Sequence, residues 1–148
     1  MIVLKIKAVN PDEISLEEMI ERAIEFHGHL GPFLVLGIRM GLRALRELSS
    51  SGYEGLEALV KTGNTPSLSC LLDGIQVSTG CTMGKGNIAT FPLGRAEADF
   101  STAEKKVTLK VRDEIVEEIK SWRESYPSLE EIARSISKRS DEELFERL

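Results

Sequence analysis

A chain of 148 residues with 41% hydrophobic and 29% charged side chains carries enough apolar material for one ordinary core, which excludes a disordered, collagenous or disulfide-stapled protein. The formal charge of −5, from 24 acidic against 19 basic side chains, lacks the positive balance that general nucleic-acid binding needs, so no nucleic-acid partner is expected. Apolar runs such as residues 33–36 fall far short of the ~20 residues that span a bilayer, and the amino terminus lacks the apolar core and cleavage site of a secretory signal. No membrane partner and a cytoplasmic location are therefore expected, with Cys70 and Cys81 as reduced thiols.

In chain order, Ile2, Leu4, Ile6 and Ala8 alternate with Val3, Lys5 and Lys7, which predicts a strand with one buried face ending at Asn10 and Pro11. Ser15 and Glu18 form a capping-box pattern, Ile14 and Met19 can staple it, and Leu16, Met19, Ile20, Ala23, Ile24 and His27 continue one helical stripe. Gly28 is placed to end that helix, and Pro32 to open a second that runs to Ser49. Gly37 and Gly41 sit one turn apart inside the second helix, marking either close approach of another element or room for a ligand.

Residues 50–55 read as a surface turn and 56–62 as a strand or short helix. Between Lys61 and Arg95 the only other charges are Asp73 and Lys85, so this stretch is not a solvated charged face. Residues 69–79 predict a helix capped by Ser67 or Ser69 and closed by Gly80, followed by a glycine-rich loop through Asn87. Residues 88–91, 96–100 and 105–111 predict three short antiparallel strands in a meander. The acidic remainder predicts helices from Asp113, from the Ser128 and Glu131 pair and from the Ser140 and Glu143 pair. The expected fold class is thus α+β, helices packed on a mainly antiparallel sheet, in a single domain 1–148: a core of about 1–112 and a helical carboxyl-terminal extension of about 113–148, free to pack on a second protein chain.

Three segments can carry chemistry. His27 and His29, the two histidines of the chain, would diverge by about 200° on a continuous helix, but a break at Gly28 lets both imidazoles converge on one ion. Cys70 falls in the first turn of a helix, where the dipole favours a thiolate suited to metal binding or nucleophilic attack, with Asp73 one turn on to ligate, take a proton or cap. Cys81 follows eleven residues later, roughly 16 Å along a straight helix, and is a pocket-lining candidate that joins the others only if the chain returns. The third segment, residues 79–87, departs from a Walker A loop in spacing and in the residue after Lys85. Its backbone amides and Lys85 offer an anion-binding nest or, equally, a tight connection.

Together FHGHLGPFLVLGIRMG and CLLDGIQVSTGCTMGKGN resemble the signature of the FmdE family, named for a component of formylmethanofuran dehydrogenase, across about residues 16–111. Asp73, Gln76, Thr79, Gly80, Cys81, Gly84, Lys85, Gly86 and Asn87 carry the second motif. The resemblance implies an α+β core that forms homodimers, and an association with the molybdenum or tungsten enzyme that reduces carbon dioxide onto methanofuran in methanogenic archaea. Many members have a cysteine at the position of Gly31, and some carry a carboxyl-terminal zinc finger for which this chain has no cysteines, so it resembles the core alone. The expected site is a divalent transition metal, zinc by the donor set, gathered by His27, His29, Cys70 and Cys81. Cys70 and Asp73 are the candidate reactive groups, and Gln76, Gly84, Lys85, Gly86 and Asn87 support the ion or hold an anionic substrate. Two alternatives stand beside it: a non-catalytic accessory subunit docking on a molybdenum or tungsten oxidoreductase through its acidic tail, and a phosphate or nucleotide binder built on Gly84, Lys85 and Gly86.

Overall fold

The computed structural model describes residues 4–125 and 128–148. Helix α1 (Leu16–His27) starts where the Ser15 hydroxyl accepts from the Glu18 amide and ends at Gly28, whose φ of 103° only glycine adopts freely. Its stripe buries Met19, Ile20 and Ala23 completely or nearly so, and each of the two larger side chains contributes about 1.5–3 kcal/mol by leaving water. Helix α2 (Pro32–Leu48) opens on proline, ends at Ser49, and is apolar nearly all round, as a central helix must be.

Strand β1 (Glu57–Val60) leads to α3 (Cys70–Thr79), closed by Gly80 at φ 75°, and then to β2 (Ile88–Thr90). Strands β3 (Glu97–Ser101) and β4 (Lys106–Val111) form a hairpin, followed by α4 (Asp113–Ser125), α5 (Leu129–Ser137), α6 (Asp141–Leu144) and β5 (Phe145–Arg147). The five strands order as β2-β1-β3-β4-β5, giving the expected α+β fold, with α2 lying between the sheet and α3 on one side and α5 on another. The alternating burial of β4, with Val107, Leu109 and Val111 inward, places one face of the hairpin in the core.

The two glycines of α2 serve close helix packing. A Cβ on Gly37 would collide with the Leu71 carbonyl and the Gly74 Cα, and one on Gly41 with the Ser78 hydroxyl. Gly74 answers from α3: its Cβ would enter the Leu34 carbonyl. Backbones therefore meet here with no side chain between, and the room these glycines make is filled by protein.

Three expectations are corrected. The three-strand meander does not form, because β2 pairs in parallel with β1, Ala58 opposite Ile88, and β1 separates β2 from β3. A parallel pair needs a long crossover, and α3 with its flanking loops provides it. The amino-terminal strand is absent from the described residues 4–10; Ile2 and Val3 lie outside them. Leu4 and Ile6 are exposed, only Val9 of this segment is buried, and its amide donates to the Ser51 carbonyl instead of a sheet ladder. The carboxyl-terminal segment is not purely helical: Phe145 pairs with Val111 and Glu146 with Lys110, making β5 the fifth strand, with Leu144 and Phe145 buried in the chain's own core. Part of its acidic charge is also engaged internally, since Asp141 holds both Arg39 and Arg46.

Candidate functional site

The break at Gly28 acts as the sequence requires. His27 ends α1, the chain turns, and the rings of His27 and His29 come to 4.6 Å between centroids with 39° between their planes. His27 Nδ1 lies 2.5 Å from Asp73 Oδ2 in the first turn of α3. Facing a carboxylate at that distance, Nδ1 carries the proton and donates it, which leaves the lone pair on Nε2. That Nε2 is buried and has no hydrogen-bond partner in the structure. A buried imidazole nitrogen aimed at nothing costs free energy, commonly ~1–3 kcal/mol, unless something binds it.

Asp73 is itself held. Gln76 Nε2 donates to Asp73 Oδ1 at 3.2 Å, and Gln76 Oε1 accepts from the Met83 amide at 3.1 Å. A continuous chain of hydrogen bonds thus runs from the α1 terminus through α3 to the glycine-rich loop. Within that loop the polar atoms bond to one another: Lys85 Nζ donates to the Gly80 carbonyl at 2.5 Å and to the Thr82 hydroxyl at 3.3 Å. Asn87 spans the loop, accepting from the Thr82 amide at 2.9 Å and donating to the Tyr53 carbonyl at 2.9 Å. Gly86 takes φ 75°, while a Cβ at Gly84 would meet open space. The loop is stitched to itself and to Gln76, so Lys85 and Asn87 hold its shape.

Cys70 begins α3, one turn before Asp73, and is partly buried. Burial, and then the Asp73 carboxylate, push its thiol pKa up against the helix amides, so the thiolate expected from the dipole is not stabilised there. Cys81 lies past the opposite end of α3, fully buried, its thiol directed at the Leu56 carbonyl at 3.6 Å. Burial raises its pKa as well, ahead of the lowering by Thr79 and Lys85. The fold brings together His27, His29, Asp73 and Gln76, keeps Cys70 on the same helix turn, and sets Cys81 apart with a packing role. Among the described residues no three His, Cys, Asp or Glu side chains form a ready-made metal cage.

One feature of the sequence was overlooked. The charge-poor run after Lys61 builds, with β3, β4 and α4, a cavity of about 910 Å³ whose wall includes Phe33, Thr62, Leu68 and Arg95. The turn residues Gly63, Asn64 and Pro66 signalled a long loop, but its partners in the wall lie far along the chain.

Residues 26–146 match the family model described as FmdE, molybdenum formylmethanofuran dehydrogenase operon. A curated relative from Archaeoglobus fulgidus, named a probable S-adenosyl-L-methionine-binding protein, is 39% identical over 92 residues, 58% of this chain. The chain spans only 24% of that relative's length. A crystal structure of an FmdE-like protein of tungsten formylmethanofuran dehydrogenase, from Syntrophus aciditrophicus, superposes with a TM-score of 0.71 over 97% of this chain and 77% of the other, at 24% identity, and so shares the fold. With an α+β fold shared over nearly its whole length and a family match over residues 26–146, the chain belongs to the FmdE family.

Proposed function

We propose that this chain is a metal-binding FmdE domain whose divalent ion, zinc by the donor set, is held by His27 Nε2 and His29, with Cys70 as the nearest thiol donor. The observation that carries the reading is the pairing of a buried, unpartnered His27 Nε2 with a carboxylate on Nδ1 of the same ring. Metal-bound histidines characteristically donate their other N–H to a carboxylate or carbonyl, which fixes the tautomer and raises the basicity of the ligating nitrogen. In this reading Asp73 orients and Gln76 orients Asp73; Cys81 takes no part. Two imidazoles and one thiol leave a tetrahedral ion with an open position, and there it would supply Lewis acidity or an activated water. Cys70, protonated without the ion, would lose its proton to the solvent on coordination.

Metal analysis of protein purified without chelators tests this. About one equivalent of transition metal is expected, falling to background in a His27→Ala, His29→Ala double variant that still folds; metal-free wild-type protein, or undiminished metal in the variant, defeats the proposal.

A second reading is favoured by the family's description, which ties it to a molybdenum formylmethanofuran dehydrogenase operon. The chain would then be an accessory subunit of such an enzyme, and co-purification of dehydrogenase subunits with the tagged full chain tests it. The homodimer belongs to either reading; Leu4, Ile6 and Phe26, exposed at 79%, 55% and 60%, supply apolar surface for it, and light scattering on eluted protein measures the mass.

A further inference from the structure

The cavity of about 910 Å³ beside the sheet is lined by none of His27, His29, Cys70 or Asp73, and the family reading gives it no role. Its volume falls in the range of sites for small organic ligands, ~300–1,000 Å³. One wall is apolar: Phe33 and Leu68, faced by Val116 and Ile119 of α4. The other is polar, formed by Thr62, Asn64, Thr65 and Ser67 of the loop between β1 and α3.

The charges around it are unequal. Arg95, Lys110 and Lys120 line it against Glu97 and Asp113. Glu97 is buried and already neutralised, since Lys61 Nζ lies 2.6 Å from its carboxylate. Asp113 pairs with Lys110 at 3.2 Å but is 81% exposed, so water screens that contact. Lys120 reaches only the exposed Glu117, at 3.5 Å. Arg95 forms no ion pair among the described residues, although the strand it precedes holds its backbone firmly, its amide donating to the Lys61 carbonyl at 2.9 Å. An unmatched guanidinium at the rim of a half-apolar cavity is suited to a carboxylate, sulfonate or phosphate, which it can grip with two parallel hydrogen bonds.

We infer that this cavity is a binding site for a small organic anion, its charged group on Arg95 with Lys120 in support and its apolar body against Phe33, Leu68 and Ile119. The wall is contributed by the residues that directly follow the histidine loop and directly precede Cys70: Phe33 sits in the first turn of α2, and the Ser67 carbonyl accepts from the Cys70 amide at 3.1 Å. An occupant would therefore brace both loops that carry the candidate metal donors, whether or not the ion is present.

Two probes with one apolar body separate the charge from the shape: 8-anilinonaphthalene-1-sulfonate and the neutral N-phenyl-1-naphthylamine. Each is titrated by fluorescence into the folded full chain after chelator treatment, so the result does not depend on the metal proposal. The sulfonate is expected to bind at one equivalent and about tenfold tighter than the neutral probe, the size of one charge-assisted hydrogen-bonding contact. Arg95→Ala is expected to remove that advantage while leaving the neutral probe unchanged. Thr65→Trp, at an exposed loop position on the cavity wall, is expected to weaken both at least about tenfold by filling the space. Equal affinity of the two probes for the wild type, an advantage that survives Arg95→Ala, or both probes binding Thr65→Trp as before, would each overturn the assignment. Arg95 and Thr65 are exposed, so neither variant threatens the core, and circular dichroism confirms the fold of each.

Discussion

Asp73 Oδ2 accepts the Nδ1 proton of His27 across 2.5 Å, joining the last residue of α1 to the first turn of α3. The contact bridges 46 positions of chain and presents Nε2 of the same ring to the proposed ion.

Asp73→Asn keeps the shape but removes the charge that fixes the tautomer. Zinc affinity is expected to fall about 10- to 100-fold, the usual cost of losing such an outer partner, while thermal stability changes little. Competition against a chromogenic chelator measures it, and an affinity equal to wild type contradicts the orienting role.

Gly74→Ala tests the bare backbone contact between α2 and α3. Helix propensity alone would favour alanine by ~1 kcal/mol, yet the added Cβ meets the Leu34 carbonyl and the Ile38 nitrogen, backbone atoms that cannot step aside. Overpacking of this kind costs about 1–3 kcal/mol or more. A net loss is expected, lowering the melting temperature by roughly 5–10 °C at this chain length. Calorimetry showing no loss would mean that the helices part freely.

Both thiols are held protonated by burial, and Cys81 is fully enclosed. An aromatic disulfide reagent at pH 7 is expected to label one thiol of the native metal-free chain slowly and the second only after unfolding. Cys70→Ala should abolish the native labelling and Cys81→Ala should preserve it. Rapid labelling of both in the native protein would contradict the buried position of Cys81.

Lys61 reaches Glu97 at 2.6 Å and Asp99 at 3.1 Å, linking β1 to β3. The hydrogen bond to Glu97, outweighing burial, raises the Lys61 pKa; burial opposes ionisation of Asp99, but Thr108 and Lys61 more than reverse it and hold that carboxyl low. A depressed carboxyl stabilises the fold above its unfolded value of 3.8, and that contribution is lost as pH falls through the folded value. A raised amine contributes fully below 10.5 and loses its contribution as pH climbs through the folded value. Lys61→Met should therefore move the acid unfolding midpoint upward and, by stranding buried Glu97, destabilise the chain by about 3 kcal/mol at neutral pH. Denaturant titration across pH measures both; adding Glu97→Gln should recover part of the loss.

The helices were legible because their ends are local events. Ser15 caps through Glu18, Ser140 through Glu143 and Gly80 through its positive φ, each within four residues, and such contacts depend little on the rest of the fold. The pairing of His27 with His29 was likewise written into two residues either side of one glycine.

Sequence alone determined the α+β class, the helix boundaries and the convergence of the imidazoles, since these follow from periodicity and from chain breaks a few residues long. Only the tertiary structure decided what lies opposite what: that β2 pairs in parallel with β1, that Phe145 returns to Val111, that Gly74 receives α2, and that Asp73 rather than Cys81 serves His27. Alternation marks a face but not its partner. Leu4 and Ile6 carry a strand's pattern with no ladder to join, because burial depends on which surfaces meet once distant segments have folded together.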